Sequence, residues 1–426
     1  MLKNALVFCS LVFVFASMNA FAADQIGPLD VTGEINGAPY RIVVPATWNG
    51  TLLVHAHGYR DKADHPGEVD NRNADIAPNP ALATALLAQG YALGGSAYRD
   101  NGWEVEGGVH DLKDLSVYFK ENLAEPDRTI LWAFSMGTVI AFDSMERFHG
   151  IYDGALAGCA VGAGATQTWD AGTDFLVGYD ILFGMPGNWG SPADIRDDFD
   201  FETEAQGKLV AEVSNPANFA KFEFLRLVIG VPGRGIMPPP PPAFYPAWLF
   251  TDLFFATEAR AELERRAGAP FVQNLDRDYN LTPGEKAYLM GLGVPPSVID
   301  GWLEDMNGRR TISSPQFSRN YVERNADYSG RITAPVLTMH TLVDPLVTVS
   351  QSAEYADTVL EAKRSDLLFQ TYTTGNGHCN FTGPQLITAV NAINSWVVNG
   401  VKPTQANFPA ALDFVPGFTP PMMVQP

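Results

Sequence analysis

Cysteine is scarce in this chain: three occur in 426 residues, and one of them, Cys9, lies in the first apolar stretch. Positive charge is scarce as well. Lys and Arg number 28 against 48 Asp and Glu, a formal net charge of −20. A surface so acidic repels nucleic acid and anionic membranes, which removes both from the expected partners. Beyond the N-terminus there is no apolar run approaching the roughly 20 residues of a spanning helix. The signature of disorder is missing too, because 46% of residues are hydrophobic and 18% charged, an ordinary globular balance. At 426 residues the chain exceeds what one compact core usually needs. One large domain with an insertion, or two domains, is expected.

What is present begins with an export signal. Lys3 supplies a basic start, Ala5 to Ala16 is mostly apolar, and Ala20-Phe21-Ala22 gives the small-x-small pattern a signal peptidase cuts after. Residues 1–22 are therefore expected to be removed, leaving a secreted or periplasmic protein without a membrane anchor. Cys9, directly after Val7-Phe8, sits too early for lipoprotein acylation. Cys159 and Cys379 remain after cleavage. In an oxidising compartment they form one disulfide or stay as two buried thiols.

Strand-like and helix-like segments alternate along the first part of the mature chain. Asp30–Ile35 and Tyr40–Val44 are β-rich runs separated by the hairpin signal Asn36-Gly37. Thr51–Ala56, Tyr91–Ala97, Thr129–Phe134 and a run ending at Cys159 read as buried strands. Ala81–Ala88, Asp111–Asn122 and Met136–Phe148 read as helices between them. This rhythm predicts an α/β fold with a mostly parallel central sheet flanked by helices. It breaks after Gly164 and resumes at Ala334–His340 and Leu367–Tyr372. The intervening stretch is aromatic and helix-like. It contains the five consecutive prolines Pro238–Pro242, and a capping box at Thr282 and Glu285. The expected organisation is a core over 23–165 and 328–402, a large mainly helical cap over 166–327 after the sixth strand, and a proline-rich tail over 403–426. Trp169, Phe175, Tyr179, Phe183 and Trp189 are expected to build the core of that cap.

The residues that carry chemistry lie at strand ends. Ala133-Phe134-Ser135-Met136-Gly137 joins a strand to a helix, with small residues two before and two after the serine. That spacing suits a nucleophile elbow, in which strand and helix approach closely and the serine Oγ projects above the sheet. A serine hydroxyl is a poor nucleophile without a base. His378, in the glycine-rich Gly375–Phe381 loop after the last strand, is the expected base, and Asp344, after the preceding strand, the expected acid. The chain order Ser, Asp, His fits this arrangement. Read separately, the three are an N-cap serine, a loop histidine and a turn aspartate; Asp170 is an alternative acid. His57-Gly58-Tyr59 ends the third strand, so the Tyr59 and Met136 amides are the candidate oxyanion donors. Tyr98, Asn101 and Trp103 are candidates to line the substrate cleft.

Metal is not expected. His55 and His57 form an H-x-H pair, but no nearby Asp-His completes a metal site. Asp276–Asn280 resembles a calcium loop, yet Ala287 stands where that loop requires Glu. No cofactor is needed for the chemistry described. Cys159 and Cys379 both fall at the sheet edge that carries Ser135, which makes a disulfide between them feasible.

The elbow at Ser135, the His57-Gly58 turn, Asp344 and His378 together resemble the α/β-hydrolase superfamily over roughly residues 30–165 and 328–402. Asn101-Gly102-Trp103 and Gly377–Phe381 are similar to bacterial secreted hydrolases grouped with prolyl-oligopeptidase-like serine peptidases. The Ser-Met-Gly elbow resembles cutinase-like esterases, with Ala133-Phe134 where those carry Gly-Trp. The tannase and feruloyl-esterase group has a Cys beside the serine, where this chain has Phe134. There is no length for the propeller of a true prolyl oligopeptidase. The resemblance implies a serine hydrolase acting on a small-molecule or oligomeric ester. A peptidase on short peptides is the alternative, and a non-catalytic binding protein on the same fold is another. A peptidase acting on free termini needs a charged anchor, and the sequence identifies none.

Overall fold

The computed structural model describes residues 26–231 and 245–423. The expected signal segment and Pro238–Pro242 lie outside the described residues. Eight strands form one sheet: β1 (Leu29–Ile35), β2 (Ala38–Val44), β3 (Thr51–Ala56), β4 (Ala92–Ser96), β5 (Arg128–Phe134), β6 (Gly154–Gly158), β7 (Val336–Val343) and β8 (Leu368–Asn376). Their spatial order is β1-β2-β4-β3-β5-β6-β7-β8. β2 runs antiparallel to both neighbours, and all pairings from β4 to β8 are parallel.

The period of two along each strand decides which layer a side chain joins. In β3, Leu52 and Val54 pack with Val109 and Leu112 of α2 (Val105–Asn122) and Val139 of α3 (Met136–Arg147), whereas Leu53 points to the other face. There it meets Leu82 and Leu86 of α1 (Pro80–Ala88) and Leu386, Val390 and Ile393 of α13 (Gly383–Asn399). β3 to β6 are wholly buried except Arg128, because helices cover both faces, and so they read as continuous apolar runs.

α2 begins six residues before the amphipathic pattern at Asp111. Gly107 and Gly108 weaken helix propensity and hide its first turns. A side chain at Gly108 would put its Cβ 2.6 Å from Ile140 Cδ1, so the glycine lets α2 lie close to α3.

A large, mainly helical cap is inserted between β6 and β7. It opens with α4 (Gly164–Phe183) and closes with α11 (Gln316–Ala326), which pack on each other. Arg266 of α8 (Arg260–Ala267) ties it to the core through Glu104 and Asp100. The described part of the tail packs on the core. Phe408 and Phe414 are buried against Phe369, and Thr373 bridges Phe414, so the tail covers the free edge of β8.

Candidate active site

Three strand ends meet above the sheet. β5 stops at Phe134 and α3 starts at Met136, which leaves Ser135 at φ 54°, ψ −130°, a conformation that costs free energy for a residue with a Cβ. Close packing holds it there. A Cβ on Gly137 would fall 2.2 Å from the Ala56 carbonyl oxygen, and Ala133 is wholly buried. The Ser135 N–H donates to Gly158 O at 3.2 Å, and Thr138 N–H donates back to Ser135 O at 2.8 Å.

Asp344 follows β7 and is buried. Its Oδ1 accepts from the amides of Leu346 (3.0 Å) and Val347 (2.9 Å), and its Oδ2 from His378 Nδ1 (2.8 Å). Burial works to raise its pKa, but the adjoining His378 and the hydrogen bonds to the carboxylate outweigh it. The carboxyl is held well below its ordinary range and stays ionised. With Nδ1–H committed to that carboxylate, the network assigns Nε2 of His378 as the acceptor, and it lies 2.7 Å from Ser135 Oγ. The structure thus brings Ser135, His378 and Asp344 into one hydrogen-bonded chain.

The loop carrying His378 is fixed on both sides. Gly377 N–H donates to Val343 O (2.7 Å), Thr341 Oγ1 donates to Gly377 O (3.0 Å), and Cys379 is disulfide-bonded to Cys159 at the end of β6. Both cysteines adopt positive φ (47° and 52°), as the sharp turns at these two strand ends require.

The His57-Gly58-Tyr59 turn passes beside the serine. A Cβ on Gly58 would sit 3.1 Å from Ser135 Cβ, closer than ordinary van der Waals contact, so a side chain there would have to displace the turn or the serine by a few tenths of an ångström. Tyr59 and Met136 line the same cavity as Ser135, and the Met136 amide, at the first position of α3, has no carbonyl four residues back within the helix. His57 is buried, with Nδ1 2.7 Å from Gly58 O and its ring stacked on Tyr98 at 3.9 Å. Burial first, and the nearby Arg60 second, lower its pKa to about 3, so it stays neutral. Burial likewise brings His55 down to about 4, and its Nδ1 contacts Asp75 O at 2.7 Å.

Some residues fall elsewhere than expected. Tyr98 does not reach the cavity: it is fully buried beneath His57 and donates to His57 O at 3.1 Å. Asn101 is buried too, donating to Asp61 O. Asp170 is occupied within the cap by Arg319 and Gln273 N–H, both at 2.8 Å. Trp103 does line the cavity, edge-on to Trp169 at 5.1 Å. The five aromatics assigned to the cap, as its core or as a ligand box, do both: Trp169 and Phe175 are buried in the core and also line the cavity, and Tyr179 packs with Phe183 and Trp189.

The cavity holds about 90 Å³, a scale suited to a single ring or a short acyl chain. Other parts of its wall come from segments with no motif, among them Asp252 on α7 (Tyr245–Phe254), the polar residues Thr348, Ser350 and Gln351, and Met423 of the tail. Asp252 is an acidic residue on the cavity wall that the sequence did not single out.

The sheet order, the helices on both faces and the helical insertion after β6 define an α/β hydrolase in fold. No family model matches the chain. An o-phthalyl amidase from Xanthobacter agilis is 24% identical over 426 residues, covering 89% of this chain and 88% of that protein. Among solved structures, an esterase from Aspergillus oryzae shares 15% identity with a TM-score of 0.42, covering 88% of this chain and 80% of its own. Feruloyl esterase B from Aspergillus oryzae has the same identity and TM-score, over 88% and 81%.

Proposed function

We propose that this protein is a serine acyl hydrolase that works through a covalent acyl-enzyme. The observation that carries the reading is the unbroken hydrogen-bond chain from Ser135 through His378 to Asp344. In this mechanism Ser135 Oγ attacks the substrate carbonyl while His378 Nε2 takes its proton, and the ionised Asp344 holds the imidazolium that forms. The amides of Met136 and Tyr59 receive the negative oxygen of the tetrahedral intermediate. His378 then returns the proton to the leaving group, and water releases the acid by the same steps in reverse.

Carboxylic esters are the substrates proposed first, because an alkoxide leaves more readily than an amine and the largely apolar cavity suits a small acyl group. Amide cleavage is the second reading. It is favoured by the name of the Xanthobacter agilis relative, an o-phthalyl amidase. Export of the chain is part of the proposal, supported by the Cys159–Cys379 disulfide, a bond that persists outside the reducing cytosol.

Turnover of p-nitrophenyl acetate and p-nitroacetanilide by the wild type and Ser135→Ala tests this. Ester hydrolysis reduced by about 10³-fold or more in the variant is expected. Anilide cleavage alone would reverse the order of the two readings, and equal turnover by both proteins would overturn the mechanism.

A further inference from the structure

Asp252 lines the cavity onto which Ser135 opens. Among the described residues it makes no hydrogen bond and no ion pair, and it is half-buried on the cavity wall. Burial first, and the negative Asp344 second, push its carboxyl well above the ordinary range. The described residues lining the cavity include no Lys, Arg or His.

These facts rank the possible guests. An anionic guest would meet a second acid and, among the described lining residues, no counter-charge; Arg226, which borders the adjoining pocket together with Asp252, is paired with Glu223. A purely apolar guest would strip the remaining water from the carboxyl and give it no partner. A guest with a protonated amine would turn the isolated carboxyl into an ion pair. It would also face Trp169, Phe175 and Phe255, whose rings line the same space and attract cations. The net charge of −20 draws cations toward the molecule and repels anions.

We propose that the cavity selects substrates that join an apolar body to a protonated amine, with Asp252 as the counter-ion. This deepens the acyl-hydrolase reading, on which it rests, by naming a substrate class for the same site. Asp252 is then a specificity residue that contacts substrate away from the scissile bond.

The test uses the full mature protein and needs no turnover. Benzylamine and benzyl alcohol, matched in size and both carrying one ring, are titrated calorimetrically at neutral pH into wild type, Asp252→Asn and Asp252→Ser. Benzylamine is expected to bind at least tenfold more tightly than the alcohol to the wild type, and both variants are expected to lose that preference. Equal affinity for the two compounds, binding of neither, or a preference that survives both substitutions would overturn the proposal. Should one variant fail to fold, the other and the wild-type pair decide. The outcome is separable from that of the hydrolase reading: an amine preference in a protein that hydrolyses neither ester nor anilide would remove the chemistry and leave the selectivity.

Discussion

Nε2 of His340 stands 3.5 Å from Oδ2 of Asp344, four residues further along the chain. His340 is fully buried in β7, with Nε2 2.8 Å from the Val347 carbonyl oxygen and Nδ1 3.3 Å from Ser352 Oγ. With Nε2–H donating to Val347 and Nδ1 accepting from Ser352, the ring clamps the turn that begins at Asp344. The acid is thus positioned by a second histidine besides the one it orients.

Replacing that clamp should loosen Asp344 without touching substrate. His340→Leu is expected to lower kcat by about tenfold with KM changed less than twofold, since small misplacements of catalytic groups are costly. His340→Gln, which keeps a donor for Val347 O, should recover most of the loss. Steady-state kinetics on one ester substrate distinguishes these outcomes.

A Cβ on Gly58 would press on Ser135 Cβ at 3.1 Å, closer than ordinary contact. Gly58→Ala should push the turn away from the serine and misplace the Tyr59 amide. A fall in kcat of about 10–100-fold is expected, the scale of damage to an oxyanion donor, with the fold retained in circular dichroism. Unchanged kcat would remove this turn from the oxyanion site.

The Cys159–Cys379 bond closes a loop with a sequence separation of 220 and adjoins His378. Thiol titration of denatured, unreduced protein should find neither cysteine free. The double variant Cys159→Ser, Cys379→Ser should lose about 2–5 kcal/mol of stability, measured by denaturant unfolding. Its kcat should fall more than its KM rises, because the histidine loop loses one of its fixed points.

His57 provides a pH test with a defined sign. Unfolded, its imidazole protonates near 6.5; folded, burial delays protonation until about 3. The unfolded state therefore binds more protons between those values. The stability contribution is full above 6.5 and is lost as pH falls through this window. Relative to His57→Gln, the wild type should lose about 2 kcal/mol between pH 7.5 and pH 5, at about 1.4 kcal/mol per pH unit below 6.5. Urea unfolding at the two pH values measures the difference.

The sheet was legible in the sequence because its central strands are short apolar runs bounded by Gly, Asn and Pro, and the three side chains of the Ser135–His378–Asp344 chain each follow a strand end. Ser135, Asp344 and His378 share that property, so chain order alone suggests their meeting. Asp252, Met423, Thr348, Ser350 and Gln351 do not share it. They reach the cavity through packing of the cap and tail on the core, and helical periodicity says only that a face is buried, not against what. His340 was hidden for a different reason: in an apolar strand it reads as one more buried residue, and only the fold of the following turn back onto it gives it a role. Tyr98 was misplaced because a tyrosine after a strand end suits a cleft and a core equally well. Its positive φ of 58° turns the ring under His57.

In the proposed mechanism Ser135 is a nucleophile activated by His378. Labelling with a fluorophosphonate, followed by intact mass and peptide mapping, tests it without knowledge of the natural substrate. One adduct per chain is expected, on Ser135, absent in Ser135→Ala and formed far more slowly in His378→Ala. No adduct, an adduct on another residue, or equal labelling of the Ser135→Ala protein would contradict it.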